Sequence, residues 1–97
     1  MPPLGRQSRL HVDRAKTWLA RAKEATTKTR SACGITLPHL VKAHEALGFA
    51  WAHIDSMGSG AKERRAQSDL QQQHREINKK LALDYRAFAS RCIRGKD

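Results

Sequence analysis

Apolar residues recur at steps of three and four in three stretches of the chain, and no stretch alternates apolar with polar. In the first stretch Val12, Ala15, Leu19, Ala22, Thr26, Thr29 and Cys33 form one stripe, widened by Trp18 and Ala25. Asp13, Thr17, Glu24, Thr27 and Ser31 fall on its wet side. In the second, Leu37, Leu40, His44, Leu47, Trp51 and Ile54 make a stripe, and Ala43, Ala46 and Ala50 make a second, small-residue face. In the third, Leu70, His74, Ile77, Leu81, Asp84 or Tyr85, Phe88 and Cys92 continue the pattern. Such a period is the buried face of an amphipathic helix. Glycine and proline set the bounds: Pro2, Pro3 and Gly5 at the start, Gly34, the run Met57-Gly58-Ser59-Gly60, and Gly95 near the end. The chain therefore predicts an all-α fold: a three-helix bundle or helical-hairpin-type domain with a long C-terminal helix. The helices are expected over about 6–33, 37–57 and 61–94, in one domain spanning 1–97 with a disordered start at 1–5.

Local signals refine these ends. Gly34 suits the left-handed residue that closes a first helix. Thr36 offers a cap for the second, and Pro38 fits its first turn, where a missing N–H costs nothing. Ser59 can cap the third, Glu63 suits its positive N-terminal end, and Arg91, Arg94 and Lys96 suit its negative C-terminal end. The second helix is apolar on two sides, so we expect it between the other two, with Leu47 and Trp51 hidden at the centre. Gly48 inside it costs about 1 kcal/mol against alanine, which implies a close backbone contact or a break.

Helix length adds an expectation about partners. At 1.5 Å per residue the second helix is about 30 Å long and the third about 50 Å. If both start from the Met57–Gly60 turn, the third overshoots by about 18 Å. That overhang carries Tyr85, Phe88, Cys92 and Ile93, which should not face water. We expect a homodimer or a larger partner to cover it, with Tyr85, Phe88 and Ile93 as the interface. The small core points the same way.

Charge adds the next constraint. The 97 residues carry 19 Lys and Arg against 9 Asp and Glu, a net +10, with only 5% aromatics. Residues 1–33 hold eight basic and two acidic side chains, 34–60 one and two, and 61–97 ten and five. The positive charge thus lies on the outer helices. In the first, Arg9, Lys16, Lys23 and Arg30 recur every seven residues, as do Arg14, Arg21 and Lys28, one row on each flank of the apolar stripe. In the third, Arg64, Arg75 and Arg86 recur every eleven, with Lys79, Gln71 and Gln72 on the same wet side. Long basic side chains in such places often only lay their stems on the core. A surface of Arg, Lys and Gln also suits phosphates, and a net +10 speeds encounter with any polyanion. The first expectation is a non-enzymatic nucleic-acid-binding protein, acting mainly through phosphate contacts at Arg64, Arg75, Lys79, Arg86, Arg14, Arg21 and Lys28. The alternative is an inhibitor, adaptor or assembly subunit docking on an acidic protein surface.

Specific motifs add little. Leu47, Gly48, Ile54 and Met57 resemble the spacing of a DNA-binding helix-turn-helix. His44 stands where that motif wants a small residue, and Trp51–Ser56 lacks Lys and Arg and carries Asp55, a poor set for reading bases. Cys33 and His39 are six apart, His39 and His44 five, and His44 and His53 nine, none a metal-ligand spacing. No metal or cofactor is expected. His44 and His74, on apolar stripes, should be buried and hydrogen-bonded. No nucleophile elbow, phosphate loop or carboxylate pair points to catalysis, and no small-molecule substrate is expected. The apolar runs are too short for a membrane span, and MPPLGRQSRLHVDR lacks the apolar core of a signal peptide. With only two cysteines, these features point to a reduced, cytoplasmic protein with free thiols.

Overall fold

A computed structural model describes residues 5–29, 32–58 and 60–93. Helix α1 spans Arg6–Thr26, α2 Cys33–Asp55 and α3 Ala61–Phe88, and a π-helical turn, Ala89–Ile93, prolongs α3. The fold is an all-α three-helix bundle with a long C-terminal helix, and no strand occurs among the described residues. It forms a rod 59 Å long and 16 Å across. The helices run up, down and up. His11 meets His53 and Trp18 meets Phe49 between α1 and α2. His74 Nε2 donates to the Leu47 carbonyl at 3.0 Å and Gln67 to that of Ile54 at 2.8 Å between α2 and α3. Lys80 Nζ donates to the Thr26 carbonyl at 2.7 Å between α3 and the end of α1.

The core follows the periodic stripes. Small residues line the α1–α2 seam: Ala15, Ala22 and Ala25 face Ala43, Ala46 and Ala50, all essentially buried. Without long side chains between them, the two backbones approach closely. Larger groups, Leu40, Leu47, Ile54, Leu70 and Leu81, fill the space toward α3. That third helix is the least embedded, since only Leu70 and Leu81 are fully buried on it. Trp18, Ala66, Ile77, Tyr85 and Phe88 close the core from its edges. Buried hydroxyls are satisfied locally: Thr26, Thr29 and Thr36 donate to carbonyls three or four residues back, and Ser8 Oγ accepts from the Gly58 N–H.

Several expected features differ. Helix α1 ends at Thr26, in a turn through Thr29, and α2 starts at Cys33 rather than at residue 37. Gly34 therefore lies in the first turn of α2 and is not left-handed. Thr36 is inside the helix and returns its hydroxyl to Ala32, and Pro38 sits beyond the first turn. The earlier start shortens the expected overhang, and Cys33 and Cys92 form a disulfide where free thiols were expected. Tyr85 and Phe88 are half-buried against the core, while Ile93 is 61% exposed. Trp51 is 45% exposed, not central, and His44 is exposed. The physical reason is shared: in a triangular bundle every helix keeps an outward face, so a helix apolar on two sides still meets water on a third. Gly48 is neither a contact nor a break, because α2 runs straight through it and a Cβ there would meet nothing within 4 Å. This continuity removes the helix-turn-helix. Arg30, Ser31, Ser59, Arg94, Gly95, Lys96 and the start at 1–4 lie outside the described residues.

Candidate nucleic-acid interface

Helix α2 presents its outward face between two rows of cations. On the α1 side, Trp18 and Arg21 stand one turn apart and both turn toward α2. The Trp18 indole stacks on Phe49 at 4.7 Å between centroids and 28° between planes. The Arg21 guanidinium lies 4.5 Å from the same indole, a cation–π contact that fixes its direction. Trp18, Arg21 and Lys28 then line a groove whose opposite wall carries His39 and Lys42 of α2. Arg14 continues this row one heptad earlier. Lys28 pairs with Glu24 at 3.5 Å, a pair exposed on both sides and so weakly bound.

On the α3 side the geometry follows from helical rotation, about 100° per residue. Gln73 lines the seam with α1, and His74 meets α2. Arg75, a further step round, faces out beyond α2. Arg64 and Arg86, eleven residues either way, share its line, with Lys79 beside them. All four are exposed. The row from Arg64 to Arg86 spans about 33 Å, close to one turn of duplex DNA. Arg75 is held lightly by Gln72 at 3.4 Å. Arg14, Arg21, Arg64, Arg75, Lys79 and Arg86 form no ion pair with a carboxylate among the described residues. Helical rotation thus sets Arg14, Arg21, Lys28, Arg64, Arg75 and Arg86 along the flanks of α2, whereas Lys79, half a turn from buried Leu70, points directly away from the bundle.

Between the rows, α2 itself offers Lys42, Glu45 and Asp55 as its only charges. Its exposed positions mix small residues, Gly34, Gly48 and Ala52, with the larger Ile35, Leu37 and Val41, and two aromatic rings stand on its flanks. Phe49 is 51% exposed against Trp18, and Trp51 is 45% exposed against His74, with centroids 5.1 Å apart and planes tilted by 56°. Both rings escaped the sequence reading, because periodicity places Trp51 on the core stripe and leaves Phe49 unassigned. The usable signal was the low charge of α2 beside two strongly basic helices.

The opposite seam, between α1 and α3, differs in kind. Lys23 and Lys80 there share space with Glu76, and Lys80 also pairs with Asp84 at 3.2 Å. The cations at that seam are thus partly neutralised. Tyr85, Phe88 and Ile93 sit at the far end of the rod in a shallow apolar groove with Leu37, rimmed by Arg86. One histidine pair adds polarity near the other end: His11 Nδ1 and His53 Nδ1 lie 3.1 Å apart. Burial, the charge of His11 and the nearby Arg14 together lower the His53 pKa below its usual 6.5. Two histidines are too few for a metal site, and no cluster of three or more metal-ligating side chains occurs among the described residues. Among the described residues no helix is long and apolar enough to cross a membrane. No protein family, no curated protein and no solved structure matches this chain.

Proposed function

We propose that this is a non-enzymatic nucleic-acid-binding protein that grips phosphates with the two cation rows bordering α2. One observation carries the reading. Arg14, Arg21 and Lys28 on α1 and Arg64, Arg75, Lys79 and Arg86 on α3 are exposed, run lengthwise, and all but Lys28 lack a carboxylate partner among the described residues. Arginine-rich rows position a backbone without reading sequence. If all seven cations neutralise phosphates on duplex DNA, log affinity falls by about 6 per log unit of salt. Binding titrations from low to moderate salt test this, and a flat profile refutes it. Pairwise Arg75→Ala and Arg86→Ala changes should each lower the slope by about 1. The Cys33–Cys92 disulfide suits an oxidising setting and removes the free-thiol ground for a cytoplasmic site of action.

A second reading has its own observation. The groove of Leu37, Tyr85, Phe88 and Ile93 is apolar, open and rimmed by Arg86. Aromatic and arginine groups dominate protein interfaces. An acidic protein, or a second copy of the chain forming a homodimer, fits this groove. Ile93→Asp should then abolish partner binding, or reduce the mass in light scattering to a monomer, and leave nucleic-acid binding intact.

A further inference from the structure

Resting on the phosphate-row reading, we infer that the bound nucleic acid is single-stranded, with its phosphates on the two cation rows and unpaired bases stacked on Phe49 and Trp51. Both rings belong to the helix that has the least charge, and both lie beside a row. Phe49 continues the stack Arg21–Trp18–Phe49, and Trp51 rests on His74, the residue before Arg75. Each ring already has one neighbour that fixes its orientation. Each is also about half exposed, which leaves surface for a second ring. Prepositioned aromatic platforms lose little freedom on binding, and every base has a face to offer them.

Charge sorts the ligand's parts in the same way. Lys42 is outnumbered by Glu45 and Asp55 on α2, so a phosphate gains nothing by lying over it. A phosphate displaced to either side meets the α1 or α3 row. A neutral base pays no such penalty over α2, where Gly48 and Ala52 leave room for a flat group to approach. A duplex cannot exploit this arrangement. Its bases are stacked on each other and its outer surface is phosphate, while α2 carries a single Lys and no Arg, Asn or Gln to read base edges in a groove. A duplex therefore engages the rows alone, whereas a single strand engages rows and rings.

The experiment compares labelled oligothymidylate, oligouridylate and a mixed-sequence duplex, each long enough to span the rod, by fluorescence anisotropy at one salt concentration. The variants are Phe49→Leu and Trp51→Leu, which keep apolar bulk and remove the ring. Because both positions are half exposed, a circular dichroism melt checks that the fold persists. The expected result is tighter binding of either single strand than of the duplex, a loss of roughly tenfold per ring for single strands, and no change for the duplex. Single strands should also quench tryptophan emission, less so in Trp51→Leu. Salt-sensitive binding that is equal for all three ligands and indifferent to both variants overturns the stacking inference and leaves the phosphate reading standing. Absence of binding to all three overturns both.

Discussion

Reducing the Cys33–Cys92 bridge should cost this protein a large part of its stability. The bond ties the first residue of α2 to the π-helical end of α3 across a sequence separation of 59. In the chain-entropy description, a loop of that length restrains the unfolded chain by about 4 kcal/mol at 25 °C. Burial adds less at that end. Beyond Leu81 no side chain of α3 or of the π-helical turn is fully buried, and the remaining ties include half-buried Tyr85 and Phe88 and an Arg91 to Thr36 hydroxyl bond at 3.3 Å. For a domain of this size, about 4 kcal/mol corresponds to a fall in Tm on the order of 15–30 °C. The assay is a pair of urea and thermal melts with and without a phosphine reductant, repeated on Cys33→Ser. Hydrogen exchange should place the earliest loss of protection at residues 85–93, since the disulfide acts there directly. Coincident melts in the oxidised and reduced states, with unchanged exchange at that end, would refute the reasoning.

Other perturbations have definite signs. Gly48→Ala should stabilise the fold by about 0.5–1 kcal/mol, because the position is helical and open to solvent, and alanine removes backbone freedom from the unfolded chain; denaturant melts check it. Leu81→Ala should cost about 2–5 kcal/mol, as Leu81 is one of only two fully buried side chains on α3, and its urea midpoint should fall accordingly. Lowering the pH should destabilise the protein through His53. Its folded pKa is depressed by burial, by the His11 charge and by Arg14, so the unfolded chain takes up the proton first. The stability is present above about 6.5, the unfolded value, and is lost as pH falls through the lower folded value. His53→Gln should flatten the dependence of Tm on pH in that window.

Helix number, order and core faces were legible because each rests on a repeat of three and four. The α1 stripe from Val12 to Ala22 is buried as the spacing required. Helix ends were less legible. Gly34 and Pro38 satisfy capping rules at several registers, and what decides among them is tertiary: starting α2 at Cys33 lets Thr36 bury against the core and brings Cys33 to Cys92. A pairing 59 residues apart has no local signature. An overhang of about 18 Å requires both helices to start level at the turn. In fact, from the Gln67–Ile54 bond to the Cys92–Cys33 bridge α3 advances 25 residues and α2 retreats 21. That offset is about one helical turn, part of which the π-helical turn takes up, since it winds an extra residue into its coil.

The candidate interface shows the same division between pattern and geometry. That Arg64, Arg75 and Arg86 share a line follows from an eleven-residue spacing, which advances almost whole turns of a helix. That this line and the Arg14–Arg21–Lys28 line border the same helix does not follow from either spacing. It depends on which flank of α1 meets α2, and the Trp18–Phe49 stack and the Ala-lined seam set that rotation. Swapping the handedness of the bundle would place α3 on the other flank of α1 and bring the row of Arg9, Lys16 and Lys23 beside α2 instead. The low charge of α2 therefore has two meanings that sequence cannot separate: a buried centre, or an apolar platform between cations. Burial decides it. With Leu40, Ala43, Leu47 and Ala50 turned inward, Phe49 and Trp51 must project on the remaining sides, toward the rows. Rings placed there by core packing need no further force to hold them at the surface, which is why substituting them should alter binding far more than folding.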